Sequence, residues 1–271
     1  MGPCKVAGAL ALAAGAVVTA PAAAQDRSLI DDLDNIFDDT FFVWTAPFNA
    51  SWRDLEGLAA VSGLFGAGLL VDGRVQQWLR AHPASLPVRI ADPFGEHSRL
   101  NLLGRTFVLV PTSAALWLAG AAFDRDGLRD AGLGCMTSNV ATTLSRAAFS
   151  WVFGRMRPQY TDEPYTFEAF AFGDWDQRSF PGGHAANVMS CVSYWSHRFD
   201  LGVAQPVPYA IAALIGFARV VDGAHWTSDT LLGMSWGFAV GKAVAAESRD
   251  REVDREAALR IRPYVTWRIR F

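Results

Sequence analysis

Apolar and polar positions along this chain alternate in long blocks, not in single steps. Uncharged runs extend from Gly57 to Val71, Thr106 to Phe123, Ala131 to Ser145, Leu201 to Ala218 and Thr230 to Gly241. Polar connectors containing proline and glycine separate them, such as Arg89 to His97 and Gln159 to Pro164; such residues stop helices. Runs of this length without period-two alternation predict helices that are apolar nearly all round, as in the centre of a bundle or in short membrane spans. None reaches the ~20 residues that cross a bilayer comfortably, and Pro111, Pro206 and Pro208 interrupt two of them. The expected fold is all-α, one helical domain over residues 50–247. The pattern leaves membrane embedding and a soluble bundle equally open.

Both ends depart from the block pattern. Lys5 leads into the uncharged stretch Val6 to Ala20 and then Pro21-Ala-Ala-Ala-Gln25, which reads as a secretory signal peptide over residues 1–24 with a small-residue cleavage site. Cys4 precedes the apolar stretch, where lipoprotein-type cleavage would not leave it. Residues 25–49 read as an N-terminal connector. After Ala246 comes the charge block Glu247 to Glu256, a solvated helix end or linker. Over residues 248–271 that block leads into Val265, Trp267, Ile269 and Phe271, alternating with Thr266, Arg268 and Arg270. This predicts one short C-terminal β-strand. It is similar to the last strand of an outer-membrane barrel, but the chain offers no alternating segments of ~10 residues to pair with it. The expected partner is Thr40 to Trp44 of the same protein.

Charge narrows the function classes. The whole chain carries a formal net charge of −3, and −4 once Lys5 leaves with the leader. Such a mildly acidic balance argues against a nucleic-acid partner. Of the cysteines outside the leader, Cys135 and Cys191 both lie in apolar stretches and read as two buried thiols, although an exported protein can pair them. No spacing suggests a metal cage, and no cofactor is implied. His82, His97 and His197 sit beside polar residues near expected helix ends and read as solvated or capping histidines.

Chemistry concentrates in three clusters: Gly154-Arg-Met-Arg-Pro158, Ser179-Phe-Pro-Gly-Gly-His-Ala185, and Arg219-Val-Val-Asp-Gly-Ala-His-Trp-Thr-Ser-Asp229. Arginines presented from apolar helices need an anion, and the guanidinium fork fits a phosphate at two points. Arg157 and Arg219 describe such a clamp. Gly182 and Gly183, ahead of an expected helix, let backbone N–H groups approach an anion at the helix N-terminus. His184 is placed to protonate a leaving oxygen, and His225, with Asp229 four residues on to fix its tautomer, to act as nucleophile. Each cluster alone has a bland reading: a helix terminus, a turn, a surface pair. Their occurrence together, in this order and between apolar helices, does not.

In these residues the chain resembles the type 2 phosphatidic acid phosphatase family, which shares its core with the bacterial non-specific acid phosphatases and the vanadium haloperoxidases. That family carries Lys-x6-Arg-Pro, then Pro-Ser-Gly-His, then Ser-Arg-x5-His-x3-Asp. The matching residues here are Arg157-Pro158, Pro181-Gly-Gly-His184 and Arg219-x5-His225-x3-Asp229. The resemblance implies a helical bundle with the site between its central helices. It also implies attack by His225 through a phosphohistidine, orientation by Asp229, acid and base work by His184, and phosphoryl binding by Arg157, Arg219, Gly182 and Gly183. The substrate it implies is a phosphorylated lipid, such as phosphatidic acid, phosphatidylglycerol phosphate or a polyprenyl diphosphate. Such an enzyme would be exported, periplasmic or in the inner membrane with a periplasm-facing site. A soluble non-specific acid phosphatase accepting small phosphate esters, a vanadium haloperoxidase and a non-catalytic relative are the alternatives.

Three positions depart from the pattern. The family lysine falls at Ser150, the second-motif serine at Gly182 and the serine before the second arginine at Ala218. Losing a cation and a hydroxyl from a phosphate clamp costs about 1.5–3 kcal/mol each, and if both are simple losses, Ser150→Lys and Gly182→Ser should tighten phosphate binding. Arg146 precedes Ser150 by one helical turn on the same face and is the candidate substitute cation; Arg155 is a second.

Overall fold

The structure, a computed structural model, describes residues 27–46 and 51–261. Eight α-helices follow in order: α1 Leu29–Thr45, α2 Trp52–Ala81, α3 Leu86–Ala91, α4 Thr106–Ala122, α5 Asp126–Phe153, α6 Gly183–Arg198, α7 Pro206–Val221 and α8 Thr227–Ile261. Short 3-10 turns at Asp92–Phe94 and Arg99–Gly104 link α3 to α4, and one at Gly202–Ala204 precedes α7. No strand occurs among the described residues; the nearest approach is an isolated antiparallel bridge between Arg155 and Phe167. The all-α expectation holds.

Helix α6 is the centre of the bundle, its residues Ala185 to Tyr194 buried, with α5, α7 and α8 packed around it. Glycines every fourth residue on α8 set the closest of these contacts. A Cβ at Gly233, Gly237 or Gly241 would sit 2.1–2.3 Å from the carbonyl oxygen of Gly182, Ala186 or Ser190 respectively. The two backbones therefore touch along one face, and the first turn of α8 is pinned beside the first turn of α6. Apolar clusters close the flanks. Val188, Met189 and Val192 pack on Ala212 and Ile215 of α7, and Tyr194 packs with Val240, Val244 and Val43 of α1. Trp117, Leu133 and Met136 join α4 to α5.

Several expectations change. The segment read as a connector contains α1, a capped helix with Ser28 and Asp31 in a capping box. Its buried carboxylates anchor it: Asp32 accepts from Trp117 and Arg129 at 2.7 Å each, and Asp39 accepts from Arg251 at 2.6 Å and 2.7 Å. Thr40 to Trp44 is thus helical and cannot pair as a strand. Cys135 and Cys191 are not free thiols but form a disulfide joining α5 to α6. Leader and C-terminal strand both lie outside the described residues.

Charges do not end the helices where they end the uncharged runs. α2 continues through Asp72 and Arg74, so Leu55–Ala81, and likewise Gly202–Val221, are long and apolar enough to cross a membrane. Much of α2 is bare of protein contacts: Leu58 is 61% and Leu70 77% exposed.

Candidate active site

The ends of α5, α6, α7 and α8 converge on one place. Helix α5 stops at Gly154, a left-handed C-cap with φ of 50° that a side chain could not occupy, because its Cβ would meet the Glu168 carbonyl oxygen at 1.8 Å. The chain then runs extended: Met156 N–H donates to Thr166 O (3.0 Å), Arg157 N–H to Asp176 O (2.9 Å) and Gln159 N–H to Gly223 O (3.0 Å). These bonds hold Arg157 between the 160–178 loop and the turn after α7. That turn folds back on its own helix, with Ala224 and His225 N–H both donating to Arg219 O at 3.0 Å and 3.2 Å. Arg219 and His225 are thereby locked together.

The second motif completes the cluster. Gly182 is the N-cap of α6 and its N–H donates to Asp229 O at 2.8 Å. His184 stands in the first turn, its Nε2 buried and without a partner among the described residues. The Arg99–Gly104 turn approaches so closely that a Cβ on Gly104 would lie 2.9 Å from the His184 ring. Burial first, then the charges of Arg219, Arg105, Arg146 and Arg157, push the His184 pKa down to about 3. His225 is lowered well below 6.5 by burial and by Arg157, Arg219 and His184. Both rings are therefore neutral in the empty site. The Nδ1 of His225 lies 2.6 Å from Ser179 O. A carbonyl can only accept, so Nδ1 carries the proton and Nε2 keeps its lone pair.

Asp229 does not touch His225 in the way the spacing suggested. Its Oδ1 accepts from Arg155 at 2.5 Å, and its Oδ2 accepts from Ser179 Oγ at 2.5 Å and Trp226 N–H at 3.3 Å. The carboxylate thus fixes Ser179, whose carbonyl fixes His225. Burial raises the Asp229 pKa to about 6 against the opposing pull of Arg155 and Ser179.

The cations divide into two kinds. Arg155 is fully buried and wholly engaged, donating to Asp72 (2.8 Å), Ser228 (2.7 Å), Asp229 and Pro164 O and lying over the Phe167 and Trp226 rings. It is not available as a substitute phosphate ligand. Arg146 is different: no hydrogen bond or ion pair holds it among the described residues, and its Nε is buried and unsatisfied. Its guanidinium lies on Gly183, where an added Cβ would meet Nε at 2.9 Å, within electrostatic reach of Arg157 and Arg178. The Nε atoms of Arg105, Arg157, Arg178 and Arg219 are likewise buried and unpartnered. Arg219 is partly neutralised by ion pairs with Asp222 at 3.0 Å and Glu96 at 3.7 Å, and Arg157 more weakly by Glu96 and Asp176. An apolar bundle holding this many unpaired guanidinium donors around two neutral imidazoles is built to receive an anion.

Sequence reading missed Arg105, Arg178, Ser179 and Asp72. Arg105 and Asp72 each border a long uncharged run, the signal that could have found them; Ser179 stands at the head of the second motif but acts through its backbone, which no residue type reveals. Gly182 also changes meaning. A Cβ there would lie 3.0 Å from Asp229 O and from Thr230 Cα, both backbone, so Gly182→Ser would push α8 away instead of restoring a donor. His82, just past the end of α2, stacks on Trp78 at 4.8 Å, and His197 bonds Ser193 O at 2.8 Å within α6. Among the described residues, no three His, Cys, Asp or Glu side chains form a group able to hold a metal ion.

These shifts give a pH signature for the empty protein. Two histidines with lowered pKa contribute stability that is present above about 6.5 and lost as pH falls below it, because the unfolded chain takes up protons that the fold refuses. Asp229, raised to about 6 chiefly by burial, works in the opposite sense, as do Asp39, Asp126, Asp222 and Glu247, also raised by burial. The histidine contribution is therefore read as a difference: the thermal midpoint should fall less on acidification from pH 6.5 in His184→Ala than in the native protein, and inorganic phosphate, by neutralising the arginine field, should reduce the native fall. Unfolding scans with and without phosphate measure both.

Residues 131–251 match the model of the PAP2 superfamily. The lipid A 1-phosphatase of Porphyromonas gingivalis is 29% identical over 99 residues, 35% of this chain and 19% of that protein. The lipid A 4'-phosphatase of the same organism is 24% identical over 139 residues, 51% of this chain and 54% of that protein. The chain thus spans about a fifth and about half of the lengths of these relatives. A crystal structure of a transmembrane PAP2-type phosphatidylglycerolphosphate phosphatase from Bacillus subtilis aligns with 82% of this chain and 96% of its own, at 19% identity and a TM-score of 0.43. Arg146, Arg157, His184, Arg219, His225 and Asp229 all fall inside the stretch in which this chain is similar to the PAP2 superfamily.

Proposed function

We propose that the protein is a phosphatase acting on phosphate monoesters or diphosphates carried by a lipid, through a phosphohistidine at His225. The observation that carries this reading is the set of unpaired arginines around His184 and His225. Arg157, Arg219 and the Gly183 amide hold the phosphoryl oxygens; the Gly182 N–H is committed to Asp229 O and supplies no donor. His225 Nε2 attacks phosphorus while His184 protonates the leaving oxygen, and His184 then takes a proton from the water that hydrolyses the phosphohistidine. His184 is neutral in the empty site; a bound phosphate dianion cancels the arginine field and raises its pKa so that it can carry the proton. The excess of guanidinium groups, Arg105 and Arg178 included, suits a diphosphate or a second anionic group as well as a single phosphate.

The lipid part rests on α2. Trp52 and Trp78 lie about 39 Å apart along the helix at 1.5 Å per residue, close to the ~40 Å between the interfacial layers of a bilayer, where tryptophans settle. Exposed leucines between them would otherwise form an apolar surface in water. Asp72, which reaches the site, is about 9 Å from Trp78 on the same rise. The site then lies on the Trp78 side, within about 5 Å of the boundary between the hydrocarbon layer and the head groups. The Cys135–Cys191 disulfide fits export to an oxidising compartment. Release of inorganic phosphate from phosphatidic acid in mixed micelles and from a generic aryl phosphate tests the reading; hydrolysis of the aryl ester alone would favour the small-ester alternative.

Arg146 takes the place of the family lysine in this account. Arg146→Ala should weaken vanadate inhibition and lower kcat/KM by about tenfold to a hundredfold, the effect of losing one charged hydrogen-bond partner. Ser150→Lys should rescue that variant but not improve the native protein, because a second cation beside Arg146 would repel it. A double-mutant cycle with coupling under about 0.5 kcal/mol would remove Arg146 from the clamp.

A further inference from the structure

We propose that Asp72, on the apolar helix α2, is a positioning residue for the nucleophile, acting through Arg155, Asp229 and Ser179. The inference rests on the reading of His225 as nucleophile. Asp72 is fully buried. Its carboxylate accepts from Arg155 Nη2 (2.8 Å), Ser228 N–H (2.9 Å) and Ser228 Oγ (2.5 Å). Arg155 passes the contact to Asp229, Asp229 to the Ser179 hydroxyl, and the Ser179 carbonyl to His225 Nδ1 at 2.6 Å. Every link is a buried hydrogen bond, and three of them involve a charge.

Helix α2 is shaped to make this contact. Gly68, one turn before Asp72, lets α2 lie against the first turn of α8, since a Cβ there would sit 2.8 Å from Ser228 Cα. One turn after Asp72, Gln76 donates to Val220 O at 2.8 Å. A single stripe of α2 therefore grips both sides of the segment that carries His225. Asp72 also accepts the buried Ser228 N–H in the first turn of α8, where a carboxylate is favoured by the helix dipole.

Charge gives the device a chemical role. Asp72 and Asp229 face one guanidinium, Arg155, which leaves one uncompensated negative charge beneath the nucleophile. When Nε2 bonds to phosphorus with Nδ1 protonated, the imidazole ring becomes cationic, and that charge is what the Asp72–Arg155–Asp229 group is set to balance. In the resting site the same negative charge on Asp72 holds the Asp229 pKa up. The charged groups facing Asp229 are Arg155 and Asp72, with His225 beyond Ser179.

The test compares Asp72→Asn, Asp72→Glu and Leu70→Ala in the full-length protein in detergent micelles. Measured are the single-turnover rate of phosphoenzyme formation from an aryl phosphate, the affinity for vanadate, the pH–rate profile and the thermal midpoint. Asp72→Asn is expected to slow phosphoenzyme formation by about tenfold to a hundredfold, the usual cost of losing an outer-shell partner, with vanadate affinity held within about threefold. Its acidic limb should move to lower pH, because removing a like charge lets Asp229 ionise more easily. Asp72→Glu should recover part of the rate, and Leu70→Ala, on the exposed side of the same helix, should leave rate and limb unchanged. An Asp72→Asn protein with native rate and limb, or one whose loss tracks vanadate affinity and thermal midpoint alone, overturns the proposal. A native protein that forms no phosphoenzyme overturns the nucleophile reading instead.

Discussion

Replacing His225 with alanine is expected to abolish turnover, by a factor on the order of 10⁴ or more, while leaving the fold and the affinity for phosphate nearly intact. The His225 imidazole keeps its Nε2 lone pair free: Nδ1 is committed to the Ser179 carbonyl at 2.6 Å, and the ring is kept neutral by burial and the surrounding arginines. Removing a nucleophile takes away the covalent route and leaves only binding and electrostatic stabilisation, which account for a small remainder of catalysis in enzymes of this logic. The clamp does not depend on the ring, because Arg157 and Arg219 are placed by backbone bonds to Asp176, Ala224 and His225 that alanine retains. Steady-state rates and vanadate titration of the variant check both halves of the expectation.

Replacing His184 with alanine should give the second largest loss, and one that depends on the leaving group. Alkyl and glyceryl phosphates expel a strongly basic alkoxide unless it is protonated, so the variant should lose on the order of 10²–10⁴ in rate with them. Aryl phosphates with weakly basic leaving groups should lose far less in the phosphorylation step. The phosphoenzyme should also accumulate, because the same histidine activates water for the second step. Rates across a series of esters of graded leaving-group pKa test this: a slope unchanged between native protein and variant would deny His184 the role of acid. Loss of one buried neutral imidazole should also flatten the acid side of the stability curve, by the same linkage as in the native protein.

The helical architecture and the side chains that meet at the candidate site were legible because both are written in residue types. Long uncharged runs name helices, and Arg157, His184, Arg219, His225 and Asp229 are chemically distinctive wherever they stand. What stayed hidden is what depends on main chain and on distance. Ser179 matters through a carbonyl that every residue has. Gly182 reads as a missing serine until the α8 backbone is seen at 3.0 Å from its would-be side chain. Arg146 and Arg155 look alike in sequence. In space one meets two carboxylates, and the other has no hydrogen bond or ion pair among the described residues. The glycine series Gly233, Gly237 and Gly241 stood in plain view at helical spacing, but only the fold shows that it faces α6. Helix α1 was read as a connector; its anchors Asp32 and Asp39 are buried carboxylates whose partners, Trp117, Arg129 and Arg251, lie far along the chain.

Trapping the intermediate tests the account most directly. The native protein, quenched during turnover of ³²P-labelled phosphatidic acid or aryl phosphate, should carry an acid-labile, base-stable label that maps to the peptide containing His225. The label should be absent in His225→Ala and should persist longer than in the native protein in His184→Ala. Label that survives in His225→Ala, or that maps to any other residue, would contradict the assignment of His225 as the nucleophile.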